Sequence, residues 1–250
     1  MKILGSDYDG TLNHNGIDDA KRLTIQRWRG AGNVFAIISG RDPDELLHIY
    51  QKDSFECDYL VACSGAVIMK PDGTVVASVE CDLSAAVPLM EHLFEWGCEF
   101  ACVATSFPCL VCADKSGCDE SYKYVLEDMP EIPYFNQIST QCVDTETAAR
   151  ITASVKERFG DRLNPLQNGI CIDIVKAGFN KAKGMYLLMD LLGASYEDVI
   201  VVGDNVNDRD MIAEFKSYAM ESGVELIKEL ADYTTLGVAE LIEKELSAQT

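Results

Sequence analysis

The hexapeptide DYDGTL, residues 7–12, follows the first apolar segment of the chain and places two carboxylates, Asp7 and Asp9, two positions apart. The apolar residues before it predict a short strand, and in an extended backbone Asp7 and Asp9 share one side. Gly10 then allows the chain to turn. Carboxylates held this close repel each other unless a cation, a shared proton or water separates them. A solvated turn also uses Asp and Gly, so the rest of the chain decides between a site and a turn.

The composition is typical of a globular protein with one large α/β domain, or a domain with an insert. Of its 250 residues, 48% are hydrophobic and 25% are charged, and no apolar run approaches the roughly 20 residues of a membrane span. The first residues lack the basic and apolar regions of a secretory signal. The net charge of −20 disfavours nucleic acid and anionic membrane surfaces as partners. We therefore expect a cytoplasmic protein, a monomer or weak homodimer, whose partner is a small molecule.

The ten cysteines, without a secretory signal, predict free thiols in a reducing compartment. Five of them cluster in one segment: Cys98, Cys102, Cys109, Cys112 and Cys118. A zinc or redox site would use such a cluster. However, Cys109 and Cys112 flank Leu-Val in a predicted strand and so point to opposite faces, whereas a zinc knuckle needs a turn between its cysteines. Buried thiols are the better interpretation, since free Cys behaves as a small hydrophobe.

The first 81 residues alternate helices with apolar strands, which is typical of a parallel sheet covered on both faces. The predicted elements are a helix at 18–31, a strand at 34–39, a helix beginning at Pro43 after the N-cap Asp42, a strand at 59–63 and a hairpin turning at 70–73. On the first helix we expect Ala20, Leu23, Trp28 and Ala31 to be buried.

Residues 82–169 show a different pattern, in which hairpins alternate with helices, and this predicts an antiparallel α+β insert. Its predicted elements are a helix at 85–96, strands at 98–104 and 108–113, a helical stretch near 121–128, a strand around 137–143 and a helix at 145–159. From residue 170 the earlier β-α-β pattern resumes. The elements predicted there are the strand ICIDIV at 170–175, a helix at 180–193, a strand before Gly203, a short strand at 216–220 and a last helix at 237–246.

Polar residues follow the predicted parallel strands at three points, and a fourth point lies at a helix start. They are Asp7 and Asp9, then Ser39, Gly40 and Arg41, then Lys181, and finally Gly203, Asp204, Asn205, Asn207 and Asp208. In open parallel sheets, ligands bind beyond the carboxyl ends of the strands, near the switch in strand order. We therefore expect these four segments to converge on one pocket.

This set of residues suits phosphoryl transfer. Mg²⁺ prefers hard oxygen ligands, which Asp7, Asp204 and Asp208 could supply, and the metal would also give this acidic chain the positive charge that a phosphate needs. One carboxylate can attack phosphorus as a nucleophile, and a second can exchange protons with the leaving oxygen and with water. Ser39, the amides after it and Lys181 would stabilise the phosphoryl oxygens.

The motifs, in this order, resemble those of the haloacid dehalogenase superfamily, and within it the Cof-like phosphatases with a type-II cap. The matching segments span the chain: DYDGTL at 7–12, IISGR at 37–41, GFNKAKG at 178–184 and VVGDNVNDRDM at 201–211. The resemblance implies an α/β fold with a Rossmann-like parallel-sheet core at 1–81 and 170–250, and it makes the insert at 82–169 an α+β cap. It also implies a Mg²⁺-dependent phosphatase of small phosphorylated metabolites, sugar phosphates foremost.

The resemblance further implies a role for each residue of the site. Asp7 would be the nucleophile that forms an aspartyl-phosphate, and Asp9 would be the general acid and base. The metal ligands would be the side chains of Asp7 and Asp204 and the backbone carbonyl of Asp9, while Asp208 would bind the metal directly or through water. The remaining residues would hold the phosphoryl group and substrate or support the site: Ser39, Lys181, Gly40, Arg41, Thr11 and Asn207.

Two assignments within the motifs have alternatives. Lys176 and Lys183 lie close to Lys181, but the spacing from GFNK to Gly184 fits the family best at Lys181. Arg41 has two roles of similar weight, a substrate contact or an ion pair with a nearby Asp.

Three segments depart from the family pattern. They are Gly5-Ser6 before the nucleophile, CSGA at 63–66 in place of an Asn-Gly pair, and MESG at 220–223 in place of a Met-Gly-Asn-Ala turn. None of them removes a catalytic group, so they bear on the substrate more than on the reaction.

Two other functions fit the same fold: a phosphosugar mutase or phosphotransferase, and a non-catalytic protein that binds phosphorylated metabolites. A nucleophile beside an acid argues against the second.

Overall fold

A computed structural model describes residues 1–98, 100–106, 109–113 and 133–248, with 109–113 described for the backbone only. The strands, in chain order, are β1 (Ile3–Asp7), β2 (Val34–Ile38), β3 (Tyr59–Ala62), β4 (Val67–Met69), β5 (Val75–Ser78), β6 (Cys81–Asp82), β7 (Phe100–Ala104), β8 (Cys109–Ala113), β9 (Tyr134–Phe135), β10 (Gln137–Gln141), β11 (Leu163–Asn168), β12 (Cys171–Lys176), β13 (Val199–Gly203), β14 (Lys216–Met220) and β15 (Tyr233–Thr235). The helices are α1 (Asp19–Gly30), α2 (Pro43–Asp53), α3 (Ala86–Glu95), α4 (Thr145–Phe159), α5 (Lys181–Leu192), α6 (Arg209–Glu214), α7 (Glu225–Leu230) and α8 (Val238–Ser247). None of these helices is both long and apolar enough to cross a membrane.

Within the described residues, the larger sheet has eight strands in the order β15-β14-β13-β1-β2-β3-β4-β5. The pairs from β15 to β3 are parallel, and β4 and β5 extend the sheet as an antiparallel hairpin. The chain runs outward from β1 through β2 and β3 on one side, and from β13 through β14 and β15 on the other. The strand order therefore reverses at β1, which places the carboxyl ends of β1, β2 and β13 around the switch point where such sheets bind ligands.

Strand β1 is buried along its whole length between helices on both faces of the sheet. A Cβ on Gly5 would lie 2.6 Å from the sulfur of Met185 in α5, so the helix packs directly on the strand at this point. The Ser6 hydroxyl is also buried and donates to the backbone carbonyl of Asp7 at 2.8 Å. The unusual Gly5-Ser6 pair thus belongs to a tightly packed strand end.

Two helices of the larger layer, α1 and α2, begin at aspartate N-caps, of which Asp42 was predicted. Asp18 and Asp42 accept hydrogen bonds from the backbone N–H groups three residues on, and Pro43 takes the first position of α2. On α1 the prediction of the buried face was correct only for Trp28. The residues that pack inward with it are Thr24 and Ile25, whereas Ala20, Leu23 and Ala31 are exposed. The physical reason is helical position: Leu23 lies about 140° around the helix from Trp28 at about 100° per residue, and Ala31 lies beyond the last turn.

A second sheet of five antiparallel strands has the order β11-β12-β10-β7-β8 among the described residues. Helices α3 and α4 cover one face of it, and their apolar side chains share a core with the strands. This sheet together with α3 and α4 is called the small layer below. Apart from β11, its helices and strands lie within two residues of the predicted bounds, and α4 matches its prediction. The predicted helical stretch near 121–128 and Cys118 lie outside the described residues.

The small layer differs from the prediction in its last two strands, β11 and β12. Strand β12 pairs with β10 and β11, so assigning ICIDIV to the parallel sheet, with a boundary at residues 169 and 170, was wrong for this strand. Strand β11 was not predicted at all, because Pro165 and its polar neighbours do not form the alternating apolar pattern of a strand. The register of β11 on β12 nevertheless runs over six residues.

The cysteines agree with the expectation of free thiols wherever their side chains are described. Seven cysteines, Cys98 and Cys102 among them, form no disulfide. Cys98 lies in the apolar core of the small layer. The side chains of Cys109 and Cys112 are outside the described part of the structure.

Candidate active site

Lys181 lies between two carboxylates at the carboxyl end of the large sheet. Its Nζ donates to Asp7 Oδ1 and to Asp208 Oδ1, each at 2.6 Å. Lys181 is 1% exposed, Asp7 5% and Asp208 0%, so the three charges interact where water screens them little. Asp7 ends β1, Asp208 follows β13, and Lys181 begins α5, so the elements at the switch point bring them together.

The start of α5 determines which lysine reaches the site. Asn180 caps the helix by accepting a hydrogen bond from the Lys183 backbone N–H at 3.0 Å, and the next residue, Lys181, points into the sheet edge. Lys176 and Lys183 are both exposed. The structure therefore brings Lys181, and neither of its two neighbours, to Asp7.

The protonation of this group follows from burial and charge. Burial, with the nearby Asp208, raises the pKa of Asp7 well above its usual value, and the Lys181 ammonium only partly offsets this. Burial lowers the pKa of Lys181, but Asp208 and Asp7 outweigh it and hold that pKa above its ordinary value. Lys181 is therefore protonated at neutral pH, and its single positive charge offsets only part of the repulsion between the neighbouring carboxylates.

The loop after β13 fixes the remaining carboxylates. Asp208 Oδ2 accepts from the backbone N–H groups of Asp204 and Asn205 at 3.0 and 3.2 Å, and the buried Thr11 hydroxyl donates to Asp204 Oδ1 at 2.8 Å. Burial raises the pKa of Asp204, and the Thr11 hydrogen bond opposes that shift. Each of Asp7, Asp204 and Asp208 offers an oxygen within 4.8 Å of the others. Three carboxylate oxygens this close fit a hard divalent cation, because they need a counter-charge.

A cavity of about 580 Å³ opens above this cluster, within the range of small-molecule sites. Several residues expected in the site line it: Asp7, Asp9, Ser39, Gly40, Arg41 and Asn207. Ser39 is 2% exposed, and its hydroxyl accepts a hydrogen bond from the Arg41 backbone N–H at 3.2 Å. These residues come from β1, the end of β2 and the loop after β13, as the convergence on one pocket requires.

Arg41 forms the ion pair that was one of its two expected roles. Its Nε and Nη2 donate to the two carboxylate oxygens of Asp9 at 2.8 and 2.9 Å, and its Nη1 pairs with Glu45. The hydrogen bonding of the Arg41 guanidinium to the Asp9 carboxylate is the main reason that the pKa of Arg41 is raised. The side chain of Asp9 remains 54% exposed, so it faces the cavity while Arg41 holds its orientation.

Sequence reasoning missed the residues that the small layer contributes to the cavity. They include Phe100, Cys102, Ser139, Thr140, Asn168 and Asp173. Burial raises the pKa of Asp173 to about 6, although the Ser139 hydroxyl opposes that shift. One signal was available in the sequence: Asp173 stands between Ile172 and Ile174, both buried, so the alternation of a strand puts its side chain on the opposite face.

Among the described residues, several hydrogen bonds join the small layer to the rest of the molecule, and three of them lie at the rim of the large sheet. Gln137 Nε2 donates to the Gly40 carbonyl at 2.7 Å, and Asn205 Nδ2 donates to Asn168 Oδ1 at 3.1 Å. The third is longer and links Ser64 Oγ to Asp173 Oδ2 at 3.4 Å. The small layer therefore covers the pocket directly.

The departures at 63–66 and 220–223 both lie next to site residues. Ser64 adopts a left-handed backbone conformation with φ of 51° and turns its hydroxyl toward Asp173. Gly223 packs on the backbone of Asp204, where a Cβ would lie 2.8 Å from the carbonyl oxygen. The glycine in MESG thus permits the close approach of that turn to the loop after β13.

Comparisons with known proteins agree with this architecture. The family model of haloacid dehalogenase-like hydrolases matches residues 4–240. An HMP-PP phosphatase from Citrobacter koseri is 24% identical over 94% of this chain and 90% of its own length. A haloacid dehalogenase-like hydrolase from B. subtilis superposes with a TM-score of 0.81 at 19% identity, covering 97% of this chain and 99% of the other. The subclass IIB sugar phosphatase BT4131 superposes with a TM-score of 0.78 at 18% identity, covering 98% of both chains. The expected α/β fold and the expected family are therefore confirmed: this chain belongs to the haloacid dehalogenase-like hydrolases.

Proposed function

We propose that this hydrolase is a Mg²⁺-dependent phosphomonoesterase of small phosphorylated metabolites, sugar phosphates foremost. The observation that carries the proposal is the buried contact of Lys181 with Asp7 at the switch point of the sheet. It puts a permanent cation beside a carboxylate at the bottom of a cavity that fits a small molecule. The names of two similar proteins, an HMP-PP phosphatase and a sugar phosphatase, support the same class of reaction.

In this proposal Asp7 is the nucleophile. One of its oxygens attacks phosphorus, the bond from phosphorus to the ester oxygen breaks, and the leaving oxygen takes a proton from Asp9. Water then attacks the aspartyl-phosphate, gives its proton back to Asp9 and releases phosphate. Asp9 faces the cavity and is held by Arg41, so each proton transfer requires Arg41 to release one oxygen of the carboxylate.

Lys181, Ser39 and the backbone of Gly40 stabilise the phosphoryl oxygens in this proposal. Mg²⁺, when bound, would supply positive charge to those oxygens and offset the repulsion between Asp7 and Asp204. The metal ligands proposed are the side chains of Asp7 and Asp204 and the backbone carbonyl of Asp9.

Asp208 has a different place in this proposal. One of its oxygens is bound to Lys181 and the other to two backbone N–H groups. We therefore assign Asp208 to orienting Lys181 and the loop after β13, with any contact to the metal made through water.

The small layer is proposed to act as the cap over residues 1–81 and the chain after β12. It lines one side of the cavity and would exclude water from the reacting groups. Thr11 orients Asp204, and Asn207 lies at the rim where it could contact the substrate.

The test is phosphate release from a panel of sugar phosphates, nucleotides and an aryl phosphate, with Mg²⁺ and with a chelator. Asp7→Asn should abolish release, and the exposed Asp190→Asn serves as the matched control that retains it. Release that continues at the wild-type rate in Asp7→Asn would exclude the proposed nucleophile. Transfer of phosphate to an added alcohol in preference to water would instead favour a phosphotransferase.

A further inference from the structure

We infer that Asp173 is a specificity-determining residue: its carboxylate accepts hydrogen bonds from hydroxyl groups of the leaving group and disfavours leaving groups that carry a second anion. This inference rests on the proposed phosphomonoesterase activity and names the part of the substrate that the small layer contacts.

Asp173 lies close to the loop proposed to hold the phosphoryl group. A Cβ on Gly40 would lie 2.4 Å from Asp173 Oδ2, so the carboxylate approaches the backbone of the residue after Ser39. A leaving group attached to a phosphoryl group at Ser39 would therefore have its first atoms beside Asp173. This position suits contact with substituents near the ester oxygen.

The side chain of Asp173 is fixed before any substrate binds. Asp173 Oδ1 accepts from the Ser139 hydroxyl at 3.0 Å, and the neighbouring Ile172 and Ile174 anchor β12 in the core of the small layer. Gln137, on the adjacent strand, is bonded to the Gly40 carbonyl. Such preorganisation lowers the entropic cost of binding and favours a specific contact.

Asp173 keeps capacity to accept further hydrogen bonds. A carboxylate offers about four lone-pair positions. Among the described residues, Oδ2 has only the long Ser64 contact of 3.4 Å, and the side chain lines the cavity. Its nearest lining neighbours in the small layer, Ser139 and Cys171, carry no charge. A substrate hydroxyl that donates to Oδ2 would complete this set of partners.

The charges of the described lining oppose a second anionic group. The carboxylates there are Asp7, Asp9, Asp42, Glu45 and Asp173, whereas the cation is Arg41. Arg41 is already bound to Asp9 and Glu45. A second phosphate would therefore meet carboxylates in a partly dehydrated cavity, where repulsion between like charges is stronger than in water.

The test compares three substrates: p-nitrophenyl phosphate, which has no hydroxyl group, glucose 6-phosphate, and glucose 1,6-bisphosphate. In Asp173→Asn, kcat/KM for glucose 6-phosphate should fall about 10- to 100-fold relative to that for p-nitrophenyl phosphate, as expected for a lost charge-assisted hydrogen bond. The ratio of bisphosphate to monophosphate kcat/KM should rise about tenfold, because one repelling charge is gone. Asp161→Asn, which removes an exposed carboxylate of the same layer, should leave all three values unchanged.

The outcomes separate the two proposals. Equal falls for all three substrates in Asp173→Asn, or no change in the substrate ratios, would overturn the role of Asp173. Wild-type turnover of the aryl phosphate without turnover of glucose 6-phosphate would overturn it as well. If the wild type releases phosphate from none of the three and from no member of the wider panel, the phosphomonoesterase proposal itself fails.

Discussion

Gly184 in α5 lies directly against Gly65 in the loop after β3, so that a Cβ on Gly184 would stand 2.4 Å from the Cα of Gly65. Both partners are backbone atoms, which cannot move aside as a flexible side chain can. Gly65 also has φ of +106°, a conformation that side chains disfavour. This contact sets the distance between α5 and the sheet, and hence the position of Lys181 one turn earlier on the helix.

Gly184→Ala should destabilise the protein and reduce phosphate release together. The added methyl group must push α5 away from Gly65, and overpacking of this kind costs about 1–3 kcal/mol. Urea unfolding and kcat for an aryl phosphate provide the two measurements. Gly30→Ala is the matched control, because a Cβ there meets no atom of the described residues within 4 Å and the change should be neutral or slightly stabilising. Equal effects of the two substitutions would contradict the proposed packing constraint.

Lys181→Met and Asp7→Asn should both abolish activity but change stability differently. Lys181→Met leaves Asp7 and Asp208 buried without their counter-ion, which costs about 3–5 kcal/mol. Asp7→Asn removes a carboxylate whose pKa is raised by burial and by Asp208, so it should cost little or even stabilise the fold. The free energy of unfolding, measured in urea at pH 7.5 without metal, distinguishes the two. If Asp7→Asn lowers the free energy of unfolding as much as Lys181→Met does, then the Asp7 carboxylate is not destabilised by its neighbours.

Thr11→Val should weaken activation by Mg²⁺ more than it weakens folding. The buried Thr11 hydroxyl orients Asp204 Oδ1, and loss of a hydrogen bond that orients a metal ligand typically costs about 10- to 100-fold in metal affinity. The concentration of Mg²⁺ that gives half-maximal phosphate release should rise accordingly. Thr24→Val is the control, because its hydroxyl donates to the Ala20 carbonyl within α1, away from the site. An unchanged Mg²⁺ requirement in Thr11→Val would remove Asp204 from the proposed ligand set.

The sequence predicted the central strands of the large sheet, though not its edge strand β15, because the signals for those strands are local. An apolar strand, a turn and a polar residue at the strand end occur within a few positions of each other, and the parallel order then brings Asp7, Ser39 and Asp204 to one edge. The small layer depends on pairing between strands far apart in the chain. The pairing of β12 with β10 and β11 is not local, and for this reason β12, with Asp173, was assigned to the parallel-sheet core.

The buried face of α1 was missed for a related reason. Apolar character alone selects Leu23, whereas the structure buries Thr24 and leaves Leu23 58% exposed. The Thr24 hydroxyl donates a hydrogen bond to the Ala20 carbonyl at 2.7 Å, so burying this polar group costs little free energy. The tertiary packing of the helix, which the sequence pattern does not contain, decides which residues face inward.

Asp173→Asn should stabilise the protein at neutral pH while it impairs the proposed specificity. Burial raises the pKa of Asp173 to about 6 from a usual 3.8. Below about pH 4 the carboxyl is protonated in both the folded and the unfolded chain, so it contributes no pH-dependent difference. Between those two pKa values the folded state holds the proton that the unfolded state has lost, and stability therefore falls as pH rises.

Above about pH 6 the cost of the ionised carboxylate is complete, up to about 3 kcal/mol at 1.36 kcal/mol for each pKa unit. Relative to wild type, the free energy of unfolding of Asp173→Asn should thus rise between pH 4 and pH 6.5 and stay constant above it. Urea unfolding across this pH range measures the difference, with Asp161→Asn as an exposed control that should show no such rise. A difference between Asp173→Asn and wild type that does not change with pH would mean that Asp173 titrates normally, and that the small layer holds its carboxylate in water and not against the pocket wall.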